Sequence, residues 1–207
     1  LTSGIRGKKF FRAVIYLPNL VSAVALATMW LQYVYSSKFG LLKSILDAVG
    51  MHKLAETAWL DTDHKFGALL FAYCFGMIGY HMLIWMSGIE RISPELYEAA
   101  TIDGANRRQT FFHIVLPLIA PTGGIIAILC AINSLKVFDI VKTMTEGGPY
   151  YATDVIATYV YRTAFSSEIG MPRLGYASAA ALFFGGAVII IGILLNAMKD
   201  RLQKNVQ

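Results

Sequence analysis

Charge is scarce in this chain. Only 15% of its 207 residues are Asp, Glu, Lys or Arg, against about a quarter in soluble globular domains. That scarcity excludes an ordinary soluble domain. Cysteine is scarcer still: Cys74 and Cys130 both fall inside apolar runs, with no metal-ligand spacing. They exclude a disulfide framework and are expected to be core thiols. Four scattered histidines, His52, His64, His81 and His113, supply no convergent acid, base or metal group. A membrane-embedded enzyme is therefore disfavoured, and no catalytic or metal residue is assigned. No Gly-x4-Gly-Lys-Ser/Thr phosphate loop is present, so the chain is expected to hold no ATP and no cofactor of its own. Neither an internal repeat nor a low-complexity tract is found.

What remains is apolar: 56% of residues are hydrophobic and the mean hydropathy is +0.55. Several runs approach the roughly 20 residues needed to cross about 30 Å of hydrocarbon. The expected fold is all-α, a polytopic membrane protein with four spans near 13–35, 66–86, 116–135 and 174–198. Pro18 lies near the start of the first. Pro117 and Pro121 lie in the first turns of the third. Gly185, Gly186 and Gly192 lead the fourth to be read as closely packed on another helix. Trp30, Tyr33 and Tyr35 fit an aromatic belt at one end of the first span.

Net charge is +5 and the isoelectric point is about 9.2. In a membrane protein such a balance reads as basic cytoplasmic loops rather than nucleic-acid binding. With the N-terminus inside, segments 1–12, 90–112 and 199–207 carry ten Lys or Arg in 44 residues, and the outer segments 36–65 and 136–173 carry eight in 68. That density sets both ends of the chain and the segment around Glu98 in the cytoplasm. Outside, Phe39 to Leu46 has the spacing of a short interfacial helix, Thr153 to Phe165 reads as a second helix, and Thr145-Glu146-Gly147-Gly148-Pro149 as a tight turn. The chain opens in a basic stretch (Arg6, Lys8, Lys9, Arg12) that reads like the middle of a loop, so a longer protein is expected to begin before Leu1.

The segment between the second and third spans is polar, with alanine and glycine. Ser93 is a good helix N-cap, Pro94 suits the first helical position and Glu95 suits the positive first turn. The helix is expected to end near Asp103, because Gly104 readily takes the left-handed conformation. Leu96, Ala99, Ala100 and Asp103 share a side with little bulk, and Glu98 offers a charge to a basic partner. A second helix follows, with Arg107 and Arg108 on its wet side, Phe111, Phe112 and Val115 on its buried side, and a bend at Pro117. From spacing alone this is a docking element or a solvated loop.

Glu98-Ala99-Ala100, three residues, Gly104, nine residues, Ile114-x-Leu116-Pro117 resembles the signature EAA loop of permease subunits in bacterial binding-protein-dependent ABC importers. Asp103-Gly104-Ala105, Phe111-Phe112, Phe11-Arg12, Leu17-Pro18, Phe39-Gly40-Leu41-Leu42, Val137-Phe138-Asp139, Thr145 to Pro149 and Gly175-Tyr176-Ala177-Ser178-Ala179 are similar to the sugar-importing, maltose-type branch. Peptide-importing relatives usually fill the loop differently. The resemblance covers nearly the whole chain and implies one permease domain over 1–207, with a cytoplasmic docking loop at 90–113. It also implies an ATP-driven importer that moves a sugar or oligosaccharide by alternating access. Glu98, Ala99, Ala100, Asp103 and Gly104 would dock an ATP-hydrolysing subunit that holds the ATP and Mg. A second permease subunit, usually a different chain, and an external sugar-binding protein complete the assembly in a bacterial inner (plasma) membrane. Such permeases usually have six spans and this chain matches the last four, so two leading spans are expected to be missing, from a fragment or a truncated product.

Polar residues inside spans are costly and are functional candidates by default. Asn133, Ser134, Lys136 and Asp139 cluster late in the third span, and Tyr80, His81 and Trp85 lie in the second. Asn133 leads as a hydrogen-bonding partner for a sugar hydroxyl, with Ser134, Lys136, Tyr80 and His81 beside it. The competing reading for each is helix packing, or a plain interfacial position for Lys136 and Asp139. Competing functions are an ABC permease for a non-sugar solute and a secondary transporter.

Overall fold

A computed structural model of the chain describes residues 6–61, 63–165 and 171–204, with 199–204 described by backbone alone. Parts of the 1–12, 136–173 and 199–207 segments lie outside the described residues. The helices are α1 (Lys8–Leu20), α2 (Ala23–Met29), α3 (Leu41–Ala48), α4 (His52–Ala55), α5 (Lys65–Glu90), α6 (Pro94–Ile102), α7 (Arg107–Thr110), α8 (Leu116–Leu135), α9 (Asp139–Met144), α10 (Ile156–Phe165) and α11 (Leu174–Lys204). No strand occurs among the described residues.

Three stretches are long and apolar enough to cross a membrane: Lys65–Glu90, Arg107–Leu135 and Leu174–Met198, with mean hydropathies of 1.6, 2.3 and 2.5. They answer the second, third and fourth expected spans. The first differs, because α1 and α2 are separate helices bent at a break, and they count as a fourth span only as a broken one. Pro18 within α1 has no N–H to give to the preceding turn. The Val21 amide falls back on the Pro18 carbonyl at 3.3 Å, and Ser22 leaves the helical region with φ −53° and ψ 138°. A π-helical turn, Trp30–Val34, then extends α2.

The chain divides into two compact units. One comprises Pro18–Met77 and Ser134–Val188. Its core joins Leu26, Ala27 and Trp30 to Tyr35, to Ala68, Leu69 and Ala72 of α5, and to Ile140, Val141 and Met144 of α9. Ala27 and Ala72 are wholly buried, which lets backbones approach, and the Tyr35 hydroxyl donates to the Ala68 carbonyl at 3.0 Å. The expected interfacial helix is α3. The expected turn at Thr145–Pro149 is tied by a Thr145–Thr153 hydroxyl contact of 2.7 Å. Helix α10 begins at Ile156 rather than near Thr153, because the Asp154 carboxylate stands before it, accepting from the Thr158 hydroxyl and from Arg162, each at 2.6 Å.

The other unit comprises Leu1–Leu17, Ile78–Asn133 and Ile189–Gln207. Between helices in lipid, apolar burial gives little driving force, so close packing at small residues has to hold them. A Cβ on Gly79 would lie 2.7 Å from the Ile15 carbonyl oxygen and the Tyr16 Cα, so α1 rests directly on the α5 backbone. A Cβ on Gly88 would meet the Thr122 hydroxyl at 2.7 Å, and one on Gly123 would meet the Trp85 ring at 2.9 Å. Among the described residues the close packing falls at glycines of α5 and α8, while the α11 glycines are open or in ordinary contact. A Cβ on Gly185 or Gly186 meets nothing within 4 Å, and on Gly192 only the tip of Ile132 at 3.8 Å. Apart from Ala177 and Val188, the α11 side chains over 174–198 are exposed or half-buried in this chain. The cysteines also depart from the expected core: Cys74 is exposed and Cys130 half-buried.

Gly88→Val should therefore lower thermal stability in detergent by about 1–3 kcal/mol through overpacking against Thr122. Gly185→Val should stay within about 0.5 kcal/mol, as for an uncrowded surface. A melting-temperature comparison of the two checks the assignment.

Candidate functional site

The polar segment after α5 folds as a helical hairpin with chemically defined ends. Arg12 of α1 contacts Glu90 at the end of α5 at 3.3 Å. After a short turn the Ser93 hydroxyl accepts from the Glu95 amide at 3.3 Å, and Pro94 opens α6. At the other end Gly104 has φ +74°. The Ala105 amide donates to the Ala100 carbonyl at 2.9 Å and the Gly104 amide to the Thr101 carbonyl at 3.1 Å. This crossed pair is the Schellman closure, and it needs a residue free of left-handed strain. The expected start, end and glycine turn of this helix are all found.

A second closure had not been read from the sequence. Asn106 caps α7: its side-chain oxygen accepts from the Gln109 amide, and the Gln109 side chain accepts from the Asn106 amide, each at 2.9 Å. Asn-x-x-Gln is a visible capping-box pattern. The chain then takes a π-helical turn at Phe111–Val115, directly before Pro117. Pro117 cannot donate to the preceding turn, and the wider register takes up that loss. The helix runs on from Arg107 to Leu135 as one span.

The exposed face of the hairpin carries Glu98, Ala99 and Asp103, while Ala100 is buried at 4% exposure against its own unit. Ala99 and Ala100 therefore do different work, one open and one packed. Ile102, 86% exposed at the end of α6, was not singled out from sequence, since an isolated isoleucine carries no periodic signal. Between the turn after α6 and the segment from α7 into the π turn lies a pocket of about 300 Å³ lined by Asp103, Gly104, Ala105, Gln109, His113 and neighbours. Arg107 and Arg108 are on the wet side as expected. Phe111 and Phe112 are not buried: they are 45% and 51% exposed, and only Val115 turns inward. Arg108 stands 5.9 Å over the Phe112 ring.

The proposed cargo residues divide between the units. In the unit that holds Ile78–Asn133, the Tyr80 and His81 rings meet edge to face at 5.4 Å, and His81 Nε2 lies 3.2 Å from Cys130 Sγ. Cys130 stands three residues before Asn133 on α8, so the two share a face. Asn133 is half-buried. Trp85 packs on Gly123. Ser134, Lys136 and Asp139 belong to the other unit, where all three are exposed and Asp139 opens α9. Among the described residues no three His, Cys, Asp or Glu side chains gather as metal ligands.

A membrane-spanning helical chain with a rigidly capped polar hairpin between two spans defines a class. The chain belongs to the family described as binding-protein-dependent transport system inner membrane component, which it matches over residues 2–207. It is similar to a probable starch degradation products transport system permease protein, AmyD, of Thermoanaerobacterium thermosulfurigenes: 35% identical over 97% of this chain and 66% of that one. It is 33% identical to a probable ABC transporter permease protein, YurN, of Bacillus subtilis, over 94% of this chain and 64% of that one. A crystal structure of a bacterial alginate ABC transporter, in complex with an alginate pentasaccharide-bound periplasmic protein, contains a chain that superposes with a TM-score of 0.84 at 26% identity, covering 98% of this chain and 69% of that one. The chain spans 64% and 66% of the lengths of these two curated relatives.

Ser93→Ala and Asn106→Ala should each cost the hairpin about 1 kcal/mol. Amide exchange across 94–102 in the first variant and 107–110 in the second should quicken about fivefold, with the spans unaffected.

Proposed function

We propose that this chain works as the transmembrane permease subunit of an ATP-driven importer that carries a sugar or oligosaccharide inward by alternating access. One observation carries the reading: the α6–α7 hairpin, closed at its joints by side-chain caps and a crossed backbone pair and joined directly to two spans. Such an element transmits force, whereas a solvated loop would need neither closure. The relatives' names favour carbohydrate, since starch products and alginate appear among them.

In this reading the hairpin faces the cytoplasm and seats in a cleft of an ATP-hydrolysing subunit, which holds the ATP and Mg. Glu98 meets a basic residue there, Ala99 allows close approach, and Ile102 anchors beside them. When two such subunits close, each hairpin is drawn inward and pulls on α5 and α8. The cavity then exchanges an inward opening for an outward one, fed by an external binding protein. This is a two-state change biased by ATP and by the loaded binding protein. A second permease subunit, a different chain, shares the cavity, and Asn133, His81 and Tyr80 line this chain's part of it.

The test uses the full-length protein, assembled with its ATPase and permease partners in proteoliposomes and supplied with the cognate binding protein. Labelled oligosaccharide should enter only with ATP; uptake driven by an ion gradient alone would point to a secondary transporter instead. Gly104→Ala should insert normally but lose coupling, because a left-handed alanine costs about 1 kcal/mol, or roughly fivefold in the docked population. Gly104→Asn should lose less, since asparagine tolerates that conformation. Equal and normal sugar-stimulated ATP hydrolysis in both would remove Gly104 from the coupling path. Asn133→Ala should weaken uptake with intact assembly; unchanged uptake would strike it from the cargo site.

A further inference from the structure

The pocket beside Gly104 is rich in hydrogen-bond acceptors. It measures about 300 Å³, and Asp103, Gly104, Gln109 and His113 are among the residues that line it. The Asp103 carboxylate makes no ion pair among the described residues. It stands at the C-terminal end of α6, where the helix dipole is negative. The Asp103 and Gly104 carbonyls accept no amide among the described residues. Across the pocket, His113 Nδ1 lies 3.0 Å from the Gln109 carbonyl. A carbonyl only accepts, so Nδ1 carries the proton and Nε2 of the neutral ring is left as an acceptor. The Gln109 side-chain oxygen and the Thr110 hydroxyl are engaged by the Asn106 backbone at 2.9 and 3.1 Å. The chain's own nearby cations do not line the space: Arg107 and Arg108 stand on α7, and Arg108 lies over the Phe112 ring.

We infer that this pocket is a socket for one arginine side chain of the ATP-hydrolysing subunit, and that protonation of His113 empties it. This rests on the proposed function, in which the hairpin meets that subunit, and adds to it a site and a proton control. The occupant follows from the chemistry of the walls. A carboxylate and the C-terminal end of a helix repel an anion. A metal ion would find one carboxylate and one imidazole, and no three metal-ligating side chains gather among the described residues. A guanidinium offers five donors in one plane and pairs with a carboxylate through two of them. A space at the small end of ligand sites suits one side chain rather than a cofactor. Its place suits the partner as well: Asp103 follows Ala99 by one helical turn, so the pocket continues the exposed side of α6.

Proton control follows from the same acceptors. Histidine changes charge between pH 5 and 8. Neutral His113 accepts a hydrogen bond, whereas protonated His113 puts a cation into the space the guanidinium needs. Asp103 is the other titratable side chain among the lining residues, and it faces His113 from the end of α6. Arg107 and Arg108, before His113 on α7, keep their charge at every pH of interest. Docking is therefore strongest above the histidine range and weakens as pH falls through it.

The test uses the full-length protein with its partner permease in nanodiscs, stripped of the ATP-hydrolysing subunit and titrated with that subunit at pH 7.5 and 5.5. Wild-type affinity should fall about tenfold between the two, as one proton competes with one cation. His113→Gln should bind alike at both, because its amide oxygen accepts throughout. His113→Lys should bind weakly at both. Asp103→Asn should lose about tenfold at pH 7.5 with its charge-assisted bond. One arginine of the subunit, replaced by glutamine, should cost as much in wild type and nothing further in Asp103→Asn. The same subunit serves throughout, so its own response to pH cancels, and amide exchange across 94–102 shows that each hairpin is folded. A pH response retained in His113→Gln, wild-type affinity in Asp103→Asn, or no arginine coupled to Asp103 would overturn the socket and leave the proposed function standing. Failure of the wild type to bind the subunit at either pH would overturn both.

Discussion

The contact on which the site depends is the seam between α5 and α8. Gly88 faces Thr122 and Gly123 faces Trp85 closely enough that no side chain of any size could replace either glycine without movement. These helices enter and leave the polar hairpin, so the seam fixes the distance between its two roots. Because lipid offers as much apolar contact as another helix does, this adhesion comes from backbone proximity and shape. The Arg12–Glu90 pair, partly exposed, adds little by itself. It ties α1 to the far end of α5, about three turns along from where Gly79 brings their backbones into contact.

A hairpin on such roots is only as stiff as its own joints. Helix ends leave orphan amides and carbonyls, and here the orphans are taken up locally. Ser93 takes one at the start of α6, the crossed pair from Gly104 and Ala105 closes its end, and the reciprocal Asn106–Gln109 pair opens α7. The π turn before Pro117 continues the chain into α8 without a hinge. The load path from the exposed face of α6 to the membrane thus has no slack segment of more than a few residues. Under the proposed function, this is why a nine-residue helix can move spans several times its length.

How much of this was legible in the sequence follows from what kind of signal each feature leaves. The spans at 66–86, 116–135 and 174–198 were legible because hydropathy integrates over many residues, and α6 because Ser93, Pro94 and Gly104 each have a local chemical preference. The break at Val21–Ser22 was not legible, since Pro18 is equally compatible with a continuous, kinked helix and only the surroundings decide. Packing within this chain at Gly79, Gly88 and Gly123 leaves no sequence signal of its own. Sequence shows that a glycine is small, but not whether a neighbour stands opposite: Gly88 meets Thr122, whereas Gly185 and Gly186 meet nothing in this chain. The same reason misplaced Phe111, Phe112 and Cys74, whose apolarity in a lipid-facing protein does not distinguish core from surface.

Ile102 shows where physical reading adds most. Isolated exposed apolar residues are ordinary on any protein surface, and exposure alone would make it unremarked. Its setting is different: it is the last residue of α6, 86% exposed, with the strained-conformation closure at Gly104 two residues on. The closure holds the isoleucine at a fixed angle to Glu98 and Ala99, and a buried isoleucine is worth about 1.5–3 kcal/mol over an exposed one. A partner cleft that takes this residue gains most of that, because little ordering remains to be done on this side. Under the proposed function the hairpin would combine a charge for orientation, an alanine for close approach and an apolar anchor for affinity. The Schellman closure is what makes the three act as one surface.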